Sequence, residues 1–141
     1  MLLARLVETS TALAATASRT AKIALVADAL REAGDGEAAL VAAYLSNVLP
    51  QRRLGLGWRG LSALRVPAAE PSLTLAEVDA AFERIARASG PGSTAARRGD
   101  LDALMSRATD GEQNYLRGLI LGGVRQGAQD GVMLAAIARA A

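Results

Sequence analysis

Two stretches of this sequence combine glycine and arginine at spacings suited to binding an anion. We call residues 51–60, Gln-Arg-Arg-Leu-Gly-Leu-Gly-Trp-Arg-Gly, the first glycine loop, and residues 121–127, Leu-Gly-Gly-Val-Arg-Gln-Gly, the second glycine loop. A loop between two helices can present free backbone N–H groups to a phosphodiester, with help from the helix dipole. Glycine adopts positive φ and lets the backbone approach closely. Arg59 and Arg125 add a cation to each loop, so the pattern indicates phosphate binding.

Two such loops could hold the two strands of a duplex across its minor groove. Phosphate contacts position a protein without reading base sequence, so this binding is expected to be sequence-independent. A structural reading stays open, in which Gly122 and Gly123 form a helix C-cap and turn, and Gly127 allows a close helix contact. Trp58 is interpreted as a core or interface anchor more readily than as a platform for base stacking.

The charge distribution favours an anionic partner for the first half of the chain. The formal net charge is only +2, but residues 1–66 carry eight basic and five acidic side chains, and residues 67–110 carry five and seven. Residues 49–66 include four arginines and no carboxylate. Such a cluster creates a positive local field, although a solvated loop is the alternative. These arginines are Arg52, Arg53, Arg59 and Arg65.

The residue types that are missing exclude most catalytic sites. The sequence has no cysteine and no histidine, which leaves no disulfide, no thiolate and few routes to a metal site or a nucleophile–base pair. The one lysine, Lys22, does not stand in a Lys-x-Asp-Gly motif, and no Gly-x-x-x-x-Gly-Lys-Ser/Thr loop occurs. We therefore expect a non-enzyme. With no secretory leader and no apolar run of about 20 residues, we expect a soluble cytoplasmic protein.

The elements that must position the two glycine loops are helices. Alanine and leucine dominate, and β-branched residues do not form alternating runs, which predicts an all-α fold. A length of 141 residues suits a single compact domain, with about seven to eight helices. Pro67 and Pro71 indicate an extended connector across the middle. The predicted helices cover residues 2–16, 19–33, 37–49, 61–64, 75–89, 94–108, 113–121 and 130–140.

Helix starts and apolar faces follow from local spacing. Capping is predicted at Ser18, at Asp35, and by the capping boxes Thr74 with Glu77 and Thr109 with Glu112. The predicted core faces are Leu3, Leu6, Val7 and Leu13; Ile23, Val26, Ala27 and Leu30; Val41, Tyr44, Leu45 and Val48; Leu75, Val78, Phe82 and Ile85; Leu101, Leu104 and Met105; and Met133, Ala136, Ile137 and Ala140.

A weak internal repeat aligns the two halves of the chain. Tyr44-Leu45 and Tyr115-Leu116 are each taken to open a helix, which is followed by a loop with Gly57 or Gly127. Gly60-Leu61 and Gly131-Val132 each begin the next helix. The match requires a gap of one residue. It predicts two pseudo-repeated halves, each a helix–loop–helix.

The sequence resembles the N-terminal, all-helical DNA-binding domain of bacterial and archaeal ATP-dependent DNA ligases. Residues 16–22 are similar to that family's Thr-x-Ser-Arg-x-x-Lys helix start, and residues 44–58 to its Tyr-Leu…Leu-Pro…Gly-x-Gly segment. Gly123 and Gln126 replace the usual Glu and Ile of its Gly-Glu-Leu-Arg-Ile-Gly loop. The residues that match near the end of the chain are Glu112, Leu116, Gly122, Arg125, Gly127 and Asp130.

The resemblance implies a domain, residues 1–141, excised from a longer ligase that acts in DNA repair, replication and recombination. It implies a grip on nicked duplex DNA from the minor-groove side, with catalysis by downstream adenylation and OB-fold domains. It implies no cofactor in this domain, but ATP and Mg in the full-length parent. The partners expected are duplex DNA and the adenylation domain of the same parent chain, with no membrane.

The candidate DNA-binding residues combine this resemblance with the two loops. A helical protein-interaction module, docking a partner through Leu54, Leu56 and Trp58, is the rival hypothesis, and a small helical enzyme is a third. The DNA-binding residues predicted are Arg19, Lys22, Arg52, Arg53, Gly55, Gly57, Arg59, Gly122, Gly123, Arg125, Gln126 and Gly127.

Overall fold

The computed structural model describes residues 1–52, 54–122 and 130–141, apart from the side chain of Asp130. Within these ranges the chain is helical, and its β-type pairing is limited to an isolated antiparallel bridge between Leu2 and Thr74. The prediction of a single all-α domain is confirmed. The helices are α1 Leu3–Ala14, α2 Arg19–Glu32, α3 Ala38–Leu45, α4 Trp58–Ser62, α5 Leu75–Arg87, α6 Ser93–Ser106, α7 Asp110–Leu121 and α8 Asp130–Ala140.

Three of the four predicted helix caps are confirmed. The Oγ of Ser18 accepts a hydrogen bond from the backbone N–H of Ala21 at 3.2 Å. The capping boxes that open α5 and α7 are both complete, with the threonine and glutamate side chains each satisfying a backbone donor. Each box therefore fixes the start of its helix, and α7 begins at Asp110, three residues before the predicted start.

The prediction that Asp35 caps α3 is wrong. Residue Glu37 occupies the N-cap position, and its side chain makes no cap hydrogen bond. The Glu37 carboxylate instead accepts from the N-terminal ammonium of Met1 at 2.9 Å and from the backbone N–H of Gly34 at 3.0 Å. The residues next to α3 are therefore held by a contact with Met1, which is distant in sequence. The sequence around Asp35 gives no indication of this contact.

Helix α3 ends at Leu45, four residues before the predicted end. Asn47 has a positive φ of 59°, and its N–H donates to the carbonyl of Tyr44 at 3.0 Å. The N–H of Val48 donates to the carbonyl of Ala43 at 2.8 Å, which completes a Schellman motif. Val48 thereby leaves the helix and is 53% exposed, so its prediction as a core residue is wrong.

Helix α2 packs on α1, α3 and α8, α1 also packs on α7, and α5 packs on α6. Of the other predicted core residues, Ile137 is 46% exposed, so that prediction is wrong, while Val7, Ile23, Leu30 and Ala140 are partly buried against the core. The predicted core residues confirmed as buried are Leu3, Leu6, Leu13, Val26, Ala27, Val41, Tyr44, Leu45, Leu75, Val78, Phe82, Ile85, Leu101, Leu104, Met105, Met133 and Ala136.

The end of the connector between α4 and α5 pairs with the start of the chain. The N–H of Leu3 donates to the carbonyl of Leu73 at 2.9 Å, and that of Leu75 donates to the carbonyl of Met1 at 3.0 Å. The chain start is thus hydrogen-bonded to the start of α5.

Among the described residues, no helix is both long and apolar enough to cross a lipid bilayer.

Candidate nucleic-acid interface

The first glycine loop begins with a strained turn that exposes Arg52. Arg52 has a positive φ of 64°, and its N–H donates to the carbonyl of Leu49 at 3.0 Å. Its side chain is exposed and forms no hydrogen bond or ion pair with any described residue. Leu54 is only 5% exposed and anchors the loop in the core, so its prediction as part of an exposed docking surface is wrong. Arg53 lies outside the described residues.

Glycines keep the second half of this loop open. Gly55 has φ +67°, which an L-residue adopts only at a cost. Gly57 and Gly60 have no atom within 4 Å of where a Cβ would lie. Gly57 is the N-cap of α4, which turns Arg59 outward into solvent. At Gly55, Gly57 and Gly60 the loop therefore presents backbone without a side chain, next to the Arg59 guanidinium and the Trp58 ring.

Trp58 is the first residue of α4 and is 65% exposed. Its interpretation as a core anchor is therefore wrong, because an indole of this size in the core would be fully covered. Its interpretation as an interface anchor stays a prediction. The exposed ring lies between Gly57 and Arg59 in the most basic part of the sequence.

Arg65 has a structural role that the charge pattern did not predict. Its Nε donates to Oδ1 of Asp102 at 2.7 Å, and its Nη2 donates to the carbonyl of Gly60 at 2.7 Å. The side chain is only 10% exposed. Arg65 thus holds the end of α4 against α6, and its charge is compensated by a carboxylate.

The second glycine loop is described only at its start. Gly122 ends α7 in the left-handed conformation with φ 73°, and its N–H donates to the carbonyl of Leu119 at 3.3 Å. The C-cap reading of this glycine is confirmed. Gly123, Arg125, Gln126 and Gly127 lie outside the described residues, so their predicted contacts stay predictions.

Arg19 lies beside the residues that follow the second glycine loop. Its Nη2 donates to the carbonyl of Gly131, at the start of α8, at 3.4 Å. Lys22 is one turn further along α2, half-buried, with no ion pair to a described residue. The predicted motif at residues 16–22 and the start of α8 are therefore neighbours in space, although 112 positions separate Arg19 from Gly131 in the sequence.

The described edges of the two glycine loops also lie near each other. The Nε of Arg117 in α7 donates to the carbonyl of Leu61 in α4 at 3.2 Å. Gly122 is five residues further along, about 7.5 Å at 1.5 Å per residue. The Tyr115 hydroxyl donates to the carbonyl of Tyr44 at 3.1 Å, which fixes α7 to the helix preceding the first loop. Both loops are thus carried by helices bonded directly to one another.

Helix α6 adds residues that sequence reasoning missed. Gly55, Leu56, Gly57 and Gly60 face its first turns across a cleft of about 150 Å³, which we call the α6 cleft. A Cβ on Gly55 would lie 3.3 Å from Nε and Cζ of Arg97, so glycine permits this close approach. The α6 residues that line the cleft are Thr94, Arg97, Arg98 and Leu101.

The strongly shifted pKa values belong to caps and to buried rings. A hydrogen bond from Arg107, followed by the cap hydrogen bond from the Thr74 backbone, lowers the pKa of Glu77 to about 2. Burial raises the pKa of Tyr44 and of Tyr115 well above the ordinary tyrosine value. Among the described residues, no group of three or more acidic side chains is placed to hold a metal ion.

Comparison with known proteins identifies the family of this chain. The model of the family described as DNA ligase N terminus matches residues 61–138, more than half of the chain. A "Probable DNA ligase" of Kineococcus radiotolerans is 52% identical over 144 residues, covering 100% of this chain and 29% of that protein. Proteins with the same description in Beutenbergia cavernae and a Nocardioides species are 50% and 49% identical, again over 100% of this chain and 28% and 29% of theirs. This chain spans less than a third of the length of these relatives, and it belongs to the DNA ligase N-terminal family.

Proposed function

We propose that this chain binds duplex DNA without reading its sequence, by contacts from the two glycine loops and the start of α2 to backbone phosphates. The observation that carries the proposal is the pair Arg52 and Arg59, two exposed guanidiniums that flank an open glycine loop with no partner among the described residues. Arginine binds phosphate through two parallel N–H donors. An unpaired arginine beside free backbone is therefore well suited to a phosphodiester.

The start of α2 extends this surface toward the second loop. Arg19 is exposed and lies against Gly131, and Lys22 follows on the same helix. Gly122 ends α7 beside α4, which carries Arg59. We include Arg53, Gly123, Arg125, Gln126 and Gly127 in the proposed contacts on the sequence pattern of the two glycine loops and on the family resemblance, since all five lie outside the described residues.

The DNA is proposed to be nicked and gripped from its minor-groove side, with ligation performed by other domains of a longer parent. Family membership and the length of the relatives support this, since each is named a probable DNA ligase and is more than three times as long as this chain. In that parent, ATP and Mg would serve an adenylation domain that also contacts this domain. The chain itself would be a non-catalytic cytoplasmic domain, acting in repair, replication and recombination.

Fluorescence anisotropy tests the proposal. A labelled nicked duplex and the same duplex without the nick are titrated with the protein at several salt concentrations. The four cations in the described part of the chain, Arg19, Lys22, Arg52 and Arg59, should contribute about −3.6 to the slope of log K against log[salt], at −0.9 per phosphate neutralised. Contacts from Arg53 and Arg125 would make the slope steeper still. Scrambling the base sequence should leave K unchanged. Salt-insensitive binding, or binding confined to one sequence, would contradict the proposal.

The rival, a protein-interaction module, is favoured by a specific observation of its own. Leu64 and Val66 are 98% and 88% exposed, and with Trp58 they place three large apolar side chains on solvent within nine residues. If these residues dock a protein, Leu64→Ser should abolish complex formation with the rest of the parent ligase in size-exclusion chromatography without DNA. Under the DNA proposal, that variant should bind nicked duplex as the unchanged protein does.

A further inference from the structure

We infer that the α6 cleft is a phosphate site, in which Arg98 binds a backbone phosphate of the duplex and Arg97 lies beside it as a fixed second cation. The inference rests on the proposed function and extends it to a helix that the two glycine loops do not include. It adds a third group of contacts, formed by residues about 40 positions along the chain from the first loop.

The charges lining the cleft are uncompensated. Its lining holds two guanidiniums and no carboxylate. The two aspartates of α6 are engaged elsewhere, Asp102 with Arg65 at 2.7 Å and Asp100 with Arg84 at 3.9 Å. Two adjacent like charges repel, and an anion placed between them offsets that repulsion. The electrostatics of the cleft therefore favour an anionic ligand.

Arg97 is held in place before any ligand binds. Its Nη2 donates to the carbonyl of Ala88 at 2.6 Å, and its guanidinium lies against Gly55. Its Nε is buried and has no acceptor among the described residues, which is uncommon for a buried donor. The Arg97 guanidinium thus supplies a fixed positive charge, and little side-chain entropy remains to be lost when a ligand binds.

Arg98 supplies the accessible donors. Its side chain is exposed, and within the described part of the chain it makes no hydrogen bond and no ion pair. The Thr94 hydroxyl lies on the same cleft, and the positive end of the α6 dipole adds to the field. The planar guanidinium of Arg98 can therefore rotate to donate hydrogen bonds to a phosphate that enters the cleft.

The size and position of the cleft suit a phosphodiester. Its volume of about 150 Å³ is roughly five times the 30 Å³ that one water occupies in the liquid. Gly57 and Gly60 form one wall and leave room for a sugar–phosphate chain to run past. Because the same glycines belong to the first loop, a strand contacted by Arg59 is already close to this cleft.

The test compares Arg98→Ala with Arg139→Ala, which removes the same charge from an exposed position in the last turn of α8. The 141-residue chain is titrated onto nicked duplex by anisotropy at several salt concentrations. Loss of one phosphate contact should make the salt slope less steep by about 0.9, and should lower K at 0.1 M salt about eightfold. Arg139→Ala should leave the slope unchanged. Thermal melting should show Arg98→Ala at least as stable as the unchanged protein, because a repulsion is removed.

A second experiment distinguishes binding of a duplex phosphate from binding of free inorganic phosphate. Melting temperatures of the unchanged protein and of Arg98→Ala are compared in phosphate and in chloride at equal ionic strength. One outcome is that phosphate raises the melting temperature of the unchanged protein only, while the two proteins show the same slope of log K for duplex against log[salt]. In that case the cleft binds a free anion and our inference is wrong. Equal slopes with no phosphate effect also overturn it, with the proposed function intact. If the unchanged protein binds no duplex, the proposed function itself fails and the inference falls with it.

Discussion

The substitution Gly55→Ala tests how the first glycine loop packs against α6, because it adds a single methyl group where the loop meets Arg97. In Gly55→Ala, the new Cβ sits on a residue with φ +67° and lies 3.3 Å from Arg97, closer than an ordinary van der Waals contact. Gly99→Ala is the matched control, since Gly99 lies within α6 and has no atom within 4 Å of the new Cβ. Both substitutions add one methyl group, at Gly55 in a left-handed and crowded position and at Gly99 in a helical and open one.

The expected magnitudes follow from backbone conformation. Holding an alanine in the left-handed conformation destabilises the folded state by about 1–2 kcal/mol. Replacing glycine by alanine also lowers the entropy of the unfolded chain, which stabilises the fold by about 0.4–1 kcal/mol. Gly55→Ala should therefore lose about 1 kcal/mol of unfolding free energy, before any strain against Arg97. Gly99→Ala should gain about 1 kcal/mol, the helix-propensity difference between the two residues.

Urea unfolding and thermal melting measure this difference. At about 2.1 cal/mol/K per residue, the entropy of unfolding of a chain of 141 residues is about 0.3 kcal/mol/K. The two variants, separated by about 2 kcal/mol, should therefore differ by about 7 °C in Tm, with unchanged urea m-values. If Gly55→Ala is as stable as the unchanged protein, the left-handed turn and its contact with Arg97 are refuted.

Two further predictions concern pH. Because the hydrogen bond from Arg107 lowers the pKa of Glu77 to about 2 from an ordinary 4.5, this carboxylate stabilises the fold above pH 4.5 and loses that effect as the pH falls toward 2. The difference in Tm between the unchanged protein and Glu77→Gln should therefore be largest near neutral pH and shrink below pH 4.5; a constant difference would contradict this. Burial raises the pKa of Tyr44 and of Tyr115, the two tyrosines of the chain, so the folded protein should show no tyrosinate absorbance near pH 10. Tyrosinate absorbance should appear only together with the loss of helical circular dichroism.

Features set by neighbouring residues were predictable from the sequence. The capping boxes at Thr74 and Thr109 depend on residues three apart, so the pattern itself contains both partners. The apolar face of α5 was also predicted except for Ala81, because a single repeated spacing places the large apolar residues on one side of the helix. By contrast, Val48 continued the apolar spacing of α3, and the positive φ of Asn47 that ends the helix has only a weak sequence signal.

Features set by distant contacts were not predictable. Arg65 belonged to the same charge cluster as Arg52 and Arg59, and its hydrogen bonds to Asp102 and Gly60 distinguish this structural arginine from the exposed ones. Arg97 and Arg98 belong to an ordinary helix in the sequence. Their place opposite the first glycine loop follows from how α6 packs, which local patterns do not encode.

The most direct test of phosphate binding by the first glycine loop is the salt slope of the double variant Arg52→Ala/Arg59→Ala on nicked duplex. The double variant Arg87→Ala/Arg139→Ala removes the same charge from exposed positions on α5 and α8, and is the control. The slope of log K against log[salt] should become less steep by about 1.8 for the loop variant, at 0.9 per phosphate, and stay unchanged for the control. An unchanged slope for Arg52→Ala/Arg59→Ala, or an equal change in both variants, would contradict phosphate binding by this loop.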